Sequence, residues 1–152
     1  MIFVTVGTTM PFDELLAEVD RLAGNGFFGE PVLCQVGRSA YRPAHCDWFE
    51  NKPNLDDEFA QASGSIVHGG TGSTIEAIVT AKPFVAVANP RAKDDHQAEF
   101  LSYLCENRTL FWTRDPCALS EVWHQALQAP TKPPSEAPSL QRLVDSVLRT
   151  AR

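Results

Sequence analysis

Three short runs of this sequence place glycine beside hydroxyl or amide side chains where an apolar stretch stops. They are Gly7-Thr8-Thr9, Gln35-Val36-Gly37 and His68-Gly69-Gly70-Thr71-Gly72-Ser73. Glycine accepts positive φ and lets a polyanion approach the main chain closely, so the runs point to a phosphate-bearing ligand, although each can also be an ordinary tight turn. The third run lacks the Gly-Lys-Ser/Thr ending of a Walker loop and the G-x-G-x-x-G spacing of dinucleotide folds, which sets both nucleotide classes aside. Glu76, about one turn further on, is a poor phosphate ligand. Two readings of it stand. It complements the positive end of a helix, or it accepts two hydrogen bonds from neighbouring ribose hydroxyls while the helix N-terminus holds a diphosphate. Each such charge-assisted bond contributes about 1.5–3 kcal/mol.

Runs of this kind need strands before them and helices after them. The β-branched and aromatic stretch Ile2 to Val6 predicts a strand that ends at Gly7. Residues 11 to 23 then set Phe12, Leu15, Leu16, Val19 and Leu22 on one helical stripe. Pro11 suits the first turn of that helix, and Asp13 and Glu14 suit its dipole. Pro31 to Gly37 predicts a second strand, residues 46 to 50 a further one, and 54 to 59 a short capped helix.

A strand at 65 to 68 leads through the longest glycine run into a helix over 73 to 81 that carries Ile75, Ile78 and Val79 and is stopped by Pro83. The unbroken apolar stretch 84 to 88 suits a strand covered on both faces. Then come a helix over about 95 to 106 with Phe100, Leu101 and Leu104 inward, a strand at 109 to 112, and a helix with Leu119, Val122, Trp123, Ala126 and Leu127. Such alternation predicts an α/β fold, a Rossmann-like parallel sheet flanked by helices, with ligands beyond the carboxyl ends of the strands. Residues 129 to 138 hold four prolines and read as a linker. Residues 139 to 152 read as an amphipathic helix that either folds back on the domain of residues 1 to 128 or docks on a partner.

At 152 residues the chain suits one domain with one core, and no stretch reaches the roughly 18 apolar residues of a membrane span. Met1 to Gly7 turns polar too soon for a signal peptide, which predicts a cytoplasmic protein. A net charge of −6 gives too little positive field for nucleic acid. Cys34, Cys46, Cys105 and Cys117 form no C-x-x-C pair and read as reduced, mostly structural thiols. Trp48, Trp112 and Trp123 read as core or interface anchors.

The joint spacing of His68-Gly69-Gly70-Thr71-Gly72-Ser73-Thr74-Ile75-Glu76-Ala77, Lys82-Pro83 and His96-Gln97-Ala98-Glu99-Phe100, with Val4-Thr5-Val6-Gly7-Thr8-Thr9 and Phe12-Asp13, resembles the donor-binding domain of family 28 glycosyltransferases. Residues 1 to 128 carry the likeness, which is greatest to the stand-alone small subunits of two-component UDP-sugar transferases. One of these helps add the second N-acetylglucosamine to dolichol-linked oligosaccharide, and others serve bacterial exopolysaccharide synthesis.

The resemblance implies that Gly69, Gly70, Thr71, Gly72 and Ser73 hold the diphosphate of a UDP-sugar and that Gly7, Thr8 and Thr9 close over it. It also implies that Glu76 binds the ribose, that His96 and Gln97 meet the donor sugar, and that Gln35, Gly37 and His68 complete the pocket. His68 and His96 also read as a buried loop histidine and a helix-cap histidine. No Asp-x-Asp motif is present, so the helix dipole and backbone N–H groups are expected to meet leaving-group charge without a metal.

A GT-B enzyme sets its site between two Rossmann-like domains. The resemblance therefore implies that the acceptor-binding half, with the catalytic base, is a separate membrane-anchored subunit. That subunit would bring this chain to the cytoplasmic face of a membrane and to a lipid-linked saccharide acceptor, and this chain would be inactive without it. The other reading is a nucleotide-sugar-binding sensor or scaffold without turnover.

Overall fold

A computed structural model describes residues 1–92, 96–107 and 110–129. The expected helix over 139–152, and all of the expected linker beyond Ala129, lie outside the described residues. Six strands, β1 (Ile2–Thr5), β2 (Val32–Gln35), β3 (Asp47–Phe49), β4 (Gly64–His68), β5 (Phe84–Val87) and β6 (Trp112–Thr113), form one parallel sheet in the order β3-β2-β1-β4-β5-β6. The helices are α1 (Asp13–Gly24), α2 (Asp56–Gln61), α3 (Thr71–Val79), α4 (His96–Asn107) and α5 (Leu119–Gln128), the last preceded by a 3-10 turn at Pro116–Ala118.

Alternation along the strands splits the core in two. Ile2, Val4, Ile66, Val85 and Val87 face one cluster, which Leu15, Leu16 and Val19 of α1 and Leu119 and Trp123 of α5 complete. Phe3, Val67 and Ala86 face the other, closed by Phe59 of α2, Ile75 and Ile78 of α3 and Leu101 and Leu104 of α4. Both faces are therefore covered, which suits the largely apolar central strands, in which Thr5 and Ser65 are buried polar exceptions. Trp123 packs so tightly on the sheet that a Cβ at Gly64 would come within 2.8 Å of its ring.

Several expectations shift. Helix α1 begins at Asp13 and leaves Pro11 outside. The Phe12 N–H donates to Ser39 Oγ at 2.9 Å and the Tyr41 N–H to Asp13 Oδ1 at 2.7 Å, so the loop after β2 sets the helix start. Val79 and Leu127 face outward, at 46% and 52% exposure. Trp123 is a core anchor, whereas Trp48 lies exposed on the edge strand with the Arg42 guanidinium 4.9 Å over its ring. Of the thiols, Cys34 is buried and Cys46 half-buried, while Cys105 and Cys117 are exposed. Among the described residues no helix is long and apolar enough to cross a membrane.

Candidate functional site

Strand order reverses between β1 and β4, so the loops leaving these two neighbours run to opposite sides and open a crevice between them. A cavity of about 530 Å³ occupies that crevice. Its wall brings together Gly7, Thr8 and Thr9 after β1, Gln35 and His68 at the ends of β2 and β4, Gly70 before α3, and Thr71, Gly72, Ser73 and Glu76 on α3.

Helix α3 starts at Thr71, two residues before the sequence pattern places it. The Thr74 N–H and Oγ–H both bond the Gly70 carbonyl, at 3.1 and 2.7 Å, and this closes a first turn that the glycines alone would discourage. Gly70 as N-cap brings no side-chain oxygen, so the N–H groups of Thr71, Gly72 and Ser73 are left for a ligand at the positive end of the dipole. A Cβ at Gly72 would meet nothing within 4 Å. Unpaired N–H groups behind open space are an arrangement that can seat an anion.

Glu76 stands further along α3 and is exposed. Partial desolvation, and then the charge of Asp56 across the cavity, raise its pKa above the usual glutamate value. Donors such as ribose hydroxyls would relieve that penalty by bonding the ionised form.

Gln35 is buried beneath the cavity and acts as a girder. The Gly7 N–H donates to Thr5 Oγ1 (3.2 Å), the Thr5 hydroxyl to Gln35 Oε1 (2.5 Å), and the Gln35 amide to Asn51 Oδ1 (3.5 Å). This relay ties the ends of β1, β2 and β3 together.

Four expected residues do not line the cavity. Gly37 passes beneath Gly7, where a Cβ would stand 2.2 Å from the Gly7 carbonyl oxygen. Gly69 is buried against α4, 2.9 Å from Leu101 Cδ1 by the same construction. His96 is largely exposed, with Nδ1 3.9 Å from Glu99. Gln97 accepts the Asn89 N–H at 2.8 Å through Oε1, which leaves its NH₂ donors and one oxygen lone pair. Asn89 in turn donates to the Pro11 carbonyl at 3.0 Å, which couples the loops after β5 and β1.

The cavity also has a wall that sequence reasoning missed, formed by Lys52, Pro53, Asn54 and Leu55 between β3 and α2 and by Asp56, which begins α2. Lys52 pairs with Glu58 and lies 4.5 Å over the Phe49 ring. The signal present was Asn54 two residues before Asp56, whose N–H it does accept, at 2.6 Å. Nothing local tells that this loop leaves an edge strand aimed at the same crevice.

Burial pushes the His68 imidazole down to about 4. The folded state therefore resists a proton that the unfolded chain takes up at an ordinary histidine pKa near 6.5. The resulting stability is fully present above that value and is lost as pH falls toward 4, roughly 3 kcal/mol in all. Urea unfolding of the wild type between pH 7 and 4.5 should show most of this loss, and the slope should flatten in His68→Gln. Equal slopes would contradict it.

Residues 1–141 match the profile of the glycosyltransferase family 28 C-terminal domain. The UDP-N-acetylglucosamine transferase subunit ALG13 of Mus musculus is 34% identical over 72% of this chain, which spans only 10% of that protein. Its namesake in Yarrowia lipolytica is 27% identical over 97% of this chain and 84% of that protein. In fold, the glycosyltransferase of kitacinnamycin aligns with a TM-score of 0.66 and 16% identity over 99% of this chain and 41% of that one. The sheet and helices described above are therefore those of one half of a GT-B glycosyltransferase.

Proposed function

Because the chain belongs to the glycosyltransferase family 28 C-terminal domain family, we propose that it is the donor-binding subunit of a two-component inverting glycosyltransferase acting on a UDP-sugar. The observation that carries this reading is the anion seat at the N-terminus of α3 with Glu76 further along the same helix, both on one cavity. The diphosphate accepts hydrogen bonds from the N–H groups of residues 71–73, with Thr8, Thr9 and Ser73 as flanking hydroxyls. Glu76 accepts from the ribose, and Gln97, with His96, approaches the sugar from α4.

The acceptor hydroxyl attacks the anomeric carbon from the face opposite the leaving group, and the bond to the β-phosphate oxygen breaks. The charge that develops on UDP meets preorganised N–H dipoles, so no metal is required for the step. The base that takes the acceptor proton sits on a second, membrane-anchored subunit. That subunit brings this chain to the cytoplasmic face of a membrane and to a lipid-linked saccharide. The transferred sugar is a hexose, hexuronic acid or N-acetylhexosamine. UDP-N-acetylglucosamine is the first donor to try, given the name of the Yarrowia lipolytica relative and the 84% of it that aligns.

Calorimetric titration tests the nucleotide assignment. Glu76→Ala should weaken UDP binding at least about 10- to 100-fold, the worth of the first of the two charge-assisted hydrogen bonds it removes. Removing the ribose 2′-hydroxyl should weaken binding to the wild type and change little further in the variant. Unchanged affinity in Glu76→Ala removes the ribose assignment. Transfer that withstands chelation, in a complex co-purified with its partner, tests the metal-free step.

A further inference from the structure

The cavity contains a histidine that the donor-binding scheme leaves without a task. His68 ends β4, and its ring lies between the two glycine loops: a Cβ at Gly7 would come within 2.6 Å of its Nε2, and one at Gly70 within 2.2 Å of its Cε1. Gly70 has φ −67 and ψ 146, a conformation open to any residue, so the ring alone demands glycine there.

The two ring nitrogens have different partners. The Gly70 N–H donates to Nδ1 at 3.2 Å, which occupies that lone pair and leaves the proton of a neutral ring on Nε2. Nε2 is 3.2 Å from Ser73 Oγ. With Nε2–H as donor, the serine oxygen is the acceptor, and its own hydrogen is released toward the cavity that Ser73 lines.

We propose that His68 is a positioning residue, a neutral imidazole with its proton on Nε2. It aims the Ser73 hydroxyl hydrogen at the ligand's phosphate oxygens and spaces the loops after β1 and β4. The phosphate half of this statement rests on the nucleotide reading above, whereas the tautomer and the spacing do not. An imidazolium could not make the Gly70 bond, because protonated Nδ1 has no lone pair to offer.

Nitrogen-15 spectroscopy of the full chain reads the tautomer directly. Nδ1 should resonate as an unprotonated nitrogen and Nε2 as a protonated one, both without and with UDP. A proton on Nδ1, in either neutral or cationic form, overturns the assignment.

Binding supplies the second arm. His68→Ala should weaken UDP affinity about tenfold in the wild-type background and hardly at all in Ser73→Ala, and His68→Gln, whose amide can donate as Nε2 does, should restore most of the loss. Equal losses in both backgrounds overturn the Ser73 link. The third arm needs no nucleotide: Gly70→Ala should lower the melting temperature by several degrees in wild type and far less in His68→Ala. Additive losses overturn the spacing role. A wild type that fails to bind UDP sinks the nucleotide reading, while the tautomer and the Gly70 coupling still decide the role of His68.

Discussion

Gly72→Asp should leave the fold intact and weaken UDP binding about a thousandfold. The two halves of that expectation have separate grounds. A side chain at position 72 projects into open space, since nothing lies within 4 Å of its Cβ, and the position is in the first turn of α3, where an acid is favoured by the dipole. The melting temperature should therefore hold or rise slightly. The same carboxylate stands in front of the N–H groups of residues 71–73, where it fills the anion seat and repels a diphosphate. Like charges about 4 Å apart at an effective dielectric near 20 repel by roughly 4 kcal/mol, which is about three decades in affinity. Calorimetry with UDP, paired with a thermal melt, reads both halves. Affinity within tenfold of wild type would take the diphosphate off this helix end, and a collapsed melt would mean that position 72 is not open as described.

The legibility of this site in the sequence follows from the range of the interactions that build it. The segment from β4 to α3 is made by neighbours in the chain, a short apolar strand, glycines and an apolar helical stripe, so its strand–turn–helix geometry can be read locally. Even there the helix start moves by two residues, because the Thr74 bonds to the Gly70 carbonyl outweigh glycine's low helix propensity. The wall from Lys52 to Asp56 is different. It joins the cavity only because β3 pairs with β2 at the sheet edge, and strand order is not written in any local pattern.

Gln35 shows the same limit at one residue. Its place at the end of a strand marks it as a site residue, yet its oxygen accepts from Thr5 and its NH₂ donates to Asn51, partners 30 and 16 residues away. The relay holds the geometry of the loops around the cavity that Gln35 itself lines. Gln97 is a further instance, because the family resemblance assigns it to a donor sugar, while in the fold its oxygen accepts the Asn89 N–H, a bond that no local pattern announces.

The largest stability effect should come from beneath the cavity. Gly37 has φ +54, a left-handed conformation that an L side chain adopts at a cost of about 1–2 kcal/mol. A methyl there would also stand 2.2 Å from the Gly7 carbonyl oxygen and 3.3 Å from its carbon. Both obstacles are main chain and cannot rotate aside, so either the Gly7–Thr8 loop lifts or the turn after β2 opens, at an overpacking cost of a further 1–3 kcal/mol. Gly37→Ala should therefore lose about 2–5 kcal/mol in urea unfolding and weaken UDP binding as well, because the displaced loop carries Thr8 and Thr9. Gly29→Ala separates the two causes. It has φ +66 but nothing within 4 Å of its Cβ, so it should lose only the backbone share and leave binding unchanged. Equal losses in the two variants would show that the Gly7 loop yields freely, and the rigid seat inferred for the diphosphate would then lose its floor.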